Sequence, residues 1–276
     1  MKRLSAALAA VLLAGILLCA CMPKNRPVLR VAMSPDFAPM EFVDPTRTGQ
    51  ASFVGFDVSL AKYLANGLDM NLQIVPMSFE ACQDAVESGE VHMAISGFSW
   101  LPQRQERFNL SVTYHAGENS ANQVLLTALD DHSRFDSPES FQGVRVGAQS
   151  ASLQEWLVSQ QLPGAVIVTF STLDEGLSLL QQGDIEALAV AEGNANTILA
   201  ASGSLAMAVF RFHVTDELTD NLILLPKGAD ELTQAVNELL LHAESAGYYP
   251  QWYAQALRQA GVELHYDDEG HPAKTE

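Results

Sequence analysis

The sequence predicts an α/β protein built as two lobes, and three observations carry that expectation. Short apolar runs alternate with amphipathic stretches along most of the chain, the pattern of parallel strands covered by helices. The alternation falls into two series separated by a polar segment of mostly small residues, Tyr114-His115-Ala116-Gly117-Glu118-Asn119-Ser120, which suits an exposed crossover and a hinge. A chain of 276 residues, once an N-terminal leader is set aside, is long for one core and comfortable for two lobes of about 100 residues each.

The leader occupies residues 1–20. Lys2 and Arg3 precede an apolar stretch from Leu4 to Ala20 interrupted only by Ser5 and Gly15, the pattern of an export signal. The stretch falls short of the ~20 residues a spanning helix needs. It ends in Leu18-Cys19-Ala20-Cys21, which resembles the bacterial lipobox, with a Leu three residues before the modified Cys and a small residue just before it. The resemblance makes Cys21 the lipidated N-terminus, and acyl chains there would tether a soluble body to a membrane. Cys82 is then the one thiol left in the mature body, so no intramolecular disulfide can form. Its helical setting reads as a buried structural thiol.

Residues 21–27 read as a linker. The first series then places strands at Leu29–Met33, Asn71–Val75 and Met93–Ser96, with helices near Phe56–Leu68 and Phe79–Ser88. The second places strands at Val144–Ala148, Val166–Phe170 and Ala187–Ala191, with helices from Ser152, over Leu173–Gln182 and near Asn194–Ala201. A strand at Leu222–Pro226 and helical patterns over Asp230–Ala246 and Tyr249–Ala260 would return to the first lobe. The expected organisation is therefore 28–117 plus 222–262 for lobe 1 and 118–221 for lobe 2. Residues 263–276 read as a disordered tail. The balance of 33 acidic against 15 basic residues, a formal charge of −18, excludes a nucleic-acid partner.

Several segments carry a family resemblance in order along the chain. Ser34-Pro35-Asp36-Phe37-Ala38-Pro39-Met40-Glu41-Phe42 follows the first strand, and Val54-Gly55-Phe56-Asp57-Val58-Ser59-Leu60-Ala61 opens a helix. Ser96-Gly97-Phe98-Ser99-Trp100-Leu101-Pro102-Gln103-Arg104 ends a strand, and Val146-Gly147-Ala148-Gln149-Ser150-Ala151-Ser152-Leu153-Gln154-Glu155 leads into another helix. Together they resemble the bacterial family 3 solute-binding proteins, the amino-acid-binding proteins of ABC importers. The resemblance runs from about Leu29 to Leu257. It implies a type II, Venus-flytrap periplasmic-binding-protein-like fold with a ligand cleft between lobes, a permease partner in the membrane, and a periplasmic or cell-surface location. Neither a cofactor nor a metal is implied.

The resemblance also assigns roles. Phe37 takes the place of an aromatic that stacks on the ligand. Arg104 would grip the ligand's α-carboxylate, because a guanidinium fork donates two parallel hydrogen bonds to a carboxylate. Ser99 and the backbone at Gly97 would add polar contacts. Ser152, in a capping-box spacing with Glu155, would meet the carboxylate from the other lobe, where free N–H groups at a helix start favour anions. Glu192 stands where the family has an acid for the α-ammonium group. Ser34, Phe37, Phe79 and Gln149 would shape side-chain specificity, and the lack of an Asp at Ser34 argues against basic amino acids. Asp57 is a structural residue suited to the positive end of its helix. Leu101, Ala151 and Glu192 depart from the family pattern.

Other classes remain open on the sequence. An enzyme similar to cyclohexadienyl dehydratases would need an acid or base in the cleft, for which His92, His115, Glu41 and Glu118 are available. No Gly-x-Ser-x-Gly elbow or His-x-x-x-His pair is present. A ligand-sensing receptor would need a partner to supply its membrane and signalling parts. The sequence favours a non-enzymatic binding protein that closes on an amino acid-like ligand.

Overall fold

The structure, a computed structural model, describes residues 26–114 and 122–261. The leader, Cys21, most of the linker, the crossover after Tyr114 and the tail lie outside the described residues. Two five-stranded sheets carry the architecture. The first is formed by β1 (Val28–Met33), β5 (Asn71–Pro76), β6 (Met93–Ser99), β7 (Phe108–Leu110) and β13 (Asn221–Pro226), in the order β5-β1-β6-β13-β7. The second holds β8 (Gln123–Ala128), β9 (Arg145–Gln149), β10 (Val166–Phe170), β11 (Ala187–Ala191) and β12 (Leu205–Met207), in the order β10-β9-β11-β8-β12.

Neither sheet is purely parallel, and the exception is the same in both. β8 runs antiparallel to β11 and β12, and β13 runs antiparallel to β6 and β7. These are the strands by which the chain enters each sheet after leaving the other. Tyr114 and Asn221 meet there in an antiparallel bridge, exchanging backbone hydrogen bonds of 2.8 and 3.2 Å. The short strands β7, β8 and β12 escape the sequence analysis.

Helices α1 (Phe56–Gly67), α7 (Asp230–Ser245) and α8 (Tyr248–Gln259) cover one face of the first sheet. Phe56, Leu60, Leu64, Val236, Leu240 and Ala256 join Val31, Met33 and Ile95 in one buried cluster, which ties the C-terminal helices to the first lobe. On the other face α2 (Phe79–Glu87) packs Cys82, Ala85 and Val86 on Ala94 and Leu224. The second sheet is covered by α4 (Leu153–Gln161) on one face, and by α5 (Leu173–Gln182) and α6 (Glu192–Ala201) on the other. Helix α3 (Pro102–Arg107) is a short turn leaving β6. No helix among the described residues is long and apolar enough to cross a membrane.

A small three-stranded sheet of β2 (Asp36–Phe37), β3 (Glu41–Val43) and β4 (Phe53–Val54) lies between β1 and α1. It is absent from the sequence reading. Side chains alternate along a strand, and the alternation turns Glu41 fully inward while Phe42 is half-exposed. Gly55 locks this sheet to α1. Its φ of 122° and the 2.2 Å that would separate an added Cβ from the Met40 carbonyl oxygen leave room for glycine alone. The carbonyls of Pro39 and Met40 accept from the N–H groups of Phe56 and Asp57, so the loop caps the helix in place of a side chain. We expect Gly55→Ala to lose about 1–3 kcal/mol of unfolding free energy, the range for a strained backbone position, measured by urea denaturation.

Candidate functional site

A cleft opens between the two sheets. Residues from both lobes line it. The expected residues Ser34, Phe37, Phe79, Gly97, Ser99 and Arg104 do so from the first lobe, and Ser152 and Gln149 from the second. Asp36, Glu41, Gln123, Gln154, Ala191 and Asn221 complete much of the remaining wall.

Arg104 is 1% exposed, at the centre of the arrangement. Its guanidinium carbon lies 5.5 Å from the Phe79 ring centroid and 5.2 Å from that of Phe98, a double cation–π setting. Nη1 donates to the Ser99 carbonyl at 2.6 Å and Nη2 to the Ala151 carbonyl of the other lobe at 2.7 Å. Gln83 touches the same two groups, accepting from Arg104 Nε and donating to the Ala151 carbonyl, each at 3.4 Å. Burial, with a smaller push from Arg107, lowers the Arg104 pKa to about 9, which leaves it cationic at neutral pH.

Ala151 holds its carbonyl there in a left-handed conformation, φ 59°, where the family pattern has Gly. The following helix start fixes it. Glu155 N–H donates to Ser152 Oγ at 3.1 Å, and Glu155 Oε2 accepts from Ala151 N–H at 2.7 Å, one residue before the position a capping box usually closes on. Ser152 is thus the cap of α4, and Ser152, Leu153 and Gln154 at its start line the cleft.

Phe37 lies against Gly97, whose added Cβ would come within 3.0 Å of the ring. Gly97 has a φ of 59°, and its N–H donates to Asp57 Oδ2 at 2.9 Å. Asp57 does not cap its helix as expected, because the Pro39–Met40 carbonyls already do. It pins the cleft backbone, and Tyr114 donates to its other oxygen at 3.0 Å. Beside it, Glu41 Oε1 accepts a short hydrogen bond from Ser96, whose Oγ also accepts from Ser34 N–H at 3.0 Å. Among the described residues no donor reaches Glu41 Oε2. A carboxylate oxygen in a dry interior would not tolerate that, whereas a protonated Oε2 can donate to Asp57. Burial first, and the Asp57 charge second, push the Glu41 pKa well up. Burial also raises Asp57 to about 6, against the hydrogen bonds it receives from Gly97, Tyr114 and Glu41. Glu41 and Asp57 share one proton.

The lobes touch at further points. Asp36 Oδ2 accepts from Leu173 N–H at the start of α5 at 2.7 Å, and Asn194 Nδ2 donates to the Ala38 carbonyl at 2.8 Å. Leu101, 1% exposed, supplies no side-chain cap to α3 and inserts instead among Val146, Leu153 and Leu157 of the second lobe. The departure from the family pattern at Leu101 is therefore an apolar contact between lobes.

Two expectations need correction. Glu192 does not line the cleft. The strand ends at Ala191, whose side faces the cleft, and Glu192 opens α6 half-buried, its Oε2 accepting from Asn122 Nδ2 at 2.7 Å. An acid also exists beside Ser34. The chain turns back so that Ser34 Oγ donates to Asp36 Oδ1 at 2.8 Å, which removes the argument against a basic ligand. Sequence reasoning missed Asp36, Gln123, Gln154 and Asn221; only Asp36 carried a signal, as an acid inside the quoted loop. Of the residues considered for acid–base work, His92 is exposed at a strand edge, accepting from Arg30 N–H, and His115 and Glu118 lie outside the described residues. Cys82 is fully buried, and burial raises its thiol pKa.

Two α/β lobes meeting over a buried cation define a two-lobed cleft protein. The family profile of the bacterial extracellular solute-binding proteins, family 3, matches residues 29–259, and the chain belongs to that family. It is 30% identical over 127 residues to the arginine-binding extracellular protein ArtP of Bacillus subtilis, covering 46% of each chain. It is 26% identical over 201 residues to the membrane-bound lytic murein transglycosylase F of Histophilus somni, covering 70% of this chain and 40% of that one. The chain thus spans less than half the length of these two relatives. A crystal structure of an amino acid ABC transporter substrate-binding protein from Streptococcus pneumoniae bound to L-arginine superposes with a TM-score of 0.76 at 28% identity, over 86% of this chain and 96% of that one.

The Glu41–Asp57 pair generates a pH prediction. Both acids have folded pKa values above their unfolded ones, so their contribution to stability is intact in acid and declines as pH rises, through about pH 6 for Asp57. Gln at position 41 keeps the acceptor for Ser96 and a donor for Asp57 without a titrating proton. We expect Glu41→Gln to match the wild type near pH 4 and to exceed it in stability near pH 8, in urea denaturation. A variant less stable at both pH values would contradict the shared proton.

Proposed function

We propose that the protein captures a small amino acid-like molecule by closing its lobes around it and delivers it to an ABC permease, held at the membrane through a lipid on Cys21. Arg104 carries this reading. A guanidinium so fully desolvated is costly unless its charge is balanced, and its hydrogen bonds among the described residues go to carbonyl and amide oxygens. The counter-charge is the ligand's carboxylate. Because Arg104 also binds the Ala151 carbonyl across the cleft, carboxylate binding and lobe closure are coupled through one side chain.

The ligand is a basic amino acid in this reading, L-arginine being the first to test. The Asp36 carboxylate, oriented by Ser34 and Leu173 N–H, supplies a cation-binding end, and Phe37 a flat apolar wall. The solved relative at 28% identity holds L-arginine. Lobe 1 comprises 28–117 with 222–262 and lobe 2 118–221. The protein is not an enzyme in this reading.

Thermal-shift measurements on residues 22–276 with the twenty amino acids test it. A ligand at a hundredfold excess over its Kd adds about 2.7 kcal/mol, which moves Tm by about 5 °C or more. We expect such a shift with L-arginine, lost in Arg104→Ala. Loss of membrane association in Cys21→Ser is expected on fractionation. A wild type that responds to none of the twenty would overturn the amino-acid assignment.

A further inference from the structure

Asn221 is the one cleft-lining side chain whose amide oxygen and nitrogen are both buried and without a hydrogen-bond partner among the described residues. The residue is 1% exposed. It opens β13 with its Cα paired to that of Ser99, the residue whose carbonyl anchors Arg104 Nη1, and its backbone is fixed by Tyr114 in the bridge between lobes. An amide in this state is desolvated at both ends without compensation, which a native interior retains only where something else uses the group.

The position matters because the lobe 2 wall opposite is neutral. Ala191 stands where an acid would face the cleft, paired in register with Gln123, whose Oε1 accepts from Gln154 Nε2 at 2.7 Å. Glu192 is turned away to Asn122. A ligand carboxylate on Arg104 brings its α-substituent next to Ser99 and therefore to Asn221. One group complements both free atoms at once: an α-amino-acid head, whose ammonium donates and whose carboxylate accepts.

Resting on the amino-acid reading above, we propose that Asn221 is a ligand-binding residue that holds the α-amine on its Oδ1 and donates from Nδ2 to the carboxylate, a neutral amide doing what a carboxylate from lobe 2 would otherwise do. Since Asn221 lies on the strand that crosses between lobes, the head group then bears directly on the closure axis.

The test uses the nearly isosteric Asn221→Leu and, as a smaller change, Asn221→Ala. Calorimetric titration compares L-arginine with 5-guanidinopentanoate, the same molecule without its amine. We expect the wild type to favour L-arginine by tenfold or more, and both variants to bind it at least tenfold more weakly, with the preference reduced to within about twofold. We also expect Asn221→Leu, freed of two unpaired buried atoms, to melt at or above the wild-type temperature without ligand. A purely structural Asn221 would give the reverse: a lower Tm in Asn221→Leu with the preference kept. If the wild type binds L-arginine and either variant keeps the preference, this proposal falls and the amino-acid reading stands. If the wild type binds another of the twenty instead, the same comparison with that amino acid and its des-amino acid decides. Failure to bind any overturns both.

Discussion

The desolvated guanidinium of Arg104 is the constraint on which the site depends. A cation buried against the neighbouring Phe79 and Phe98 rings has little access to water, so the polar groups that meet it are committed. Ser99 gives a carbonyl from its own lobe, Ala151 gives one from the other lobe in a strained conformation, and Gln83 bridges the guanidinium and the Ala151 carbonyl. The aromatic rings fix the plane of the fork. What remains free is a direction in which a carboxylate can approach, and that direction is the cleft.

A second buried charge system supports the first from behind. Asp57 receives Gly97 N–H and Tyr114 Oη–H, and so joins the cleft backbone to the residue at which the chain leaves the first lobe. Its neighbour Glu41 sits on a hydrogen-bonded path through Ser96 to the Ser34 backbone. Were both acids ionised, two like charges would face each other in a medium that screens them poorly. Sharing a proton keeps the path polar without doubling the charge.

Much of this was legible in the sequence, and the failures have physical causes. The alternation of apolar runs marked seven strands and seven helices that the structure contains, because strands buried on both faces and amphipathic helices write different periods. The strands β8 and β13 defeat that reasoning in direction, since antiparallel placement depends on where the crossing chain arrives and not on local pattern. Arg104, Ser99 and Gly97 fall together because one loop motif places them. Glu192 misses by a single residue: the strand period sends Ala191 to the cleft and leaves the next residue to open a helix. Asn221 could not be found before the pairing with Ser99 was known, for a polar residue opening an apolar run looks like an ordinary strand edge. Asp36 acts at Ser34 only because the chain reverses between them.

In the proposed function, the contacts between lobes decide how ligand binding becomes motion. Leu101 buried in the second lobe, Asp36 on the α5 N-terminus and Asn194 on the Ala38 carbonyl all form without involving the ligand's head group. Each stabilises the closed arrangement for any ligand or none, and so raises apparent affinity by enlarging the competent fraction. Such contacts cannot discriminate. Discrimination must come from atoms whose partners exist only with the right molecule present, which are the free face of the Arg104 fork and the two unpaired atoms of Asn221. Strengthening the first set at the expense of the second would yield a protein that closes readily and selects poorly. The division of labour, apolar and backbone contacts for closure and desolvated polar groups for choice, is what lets one cleft do both.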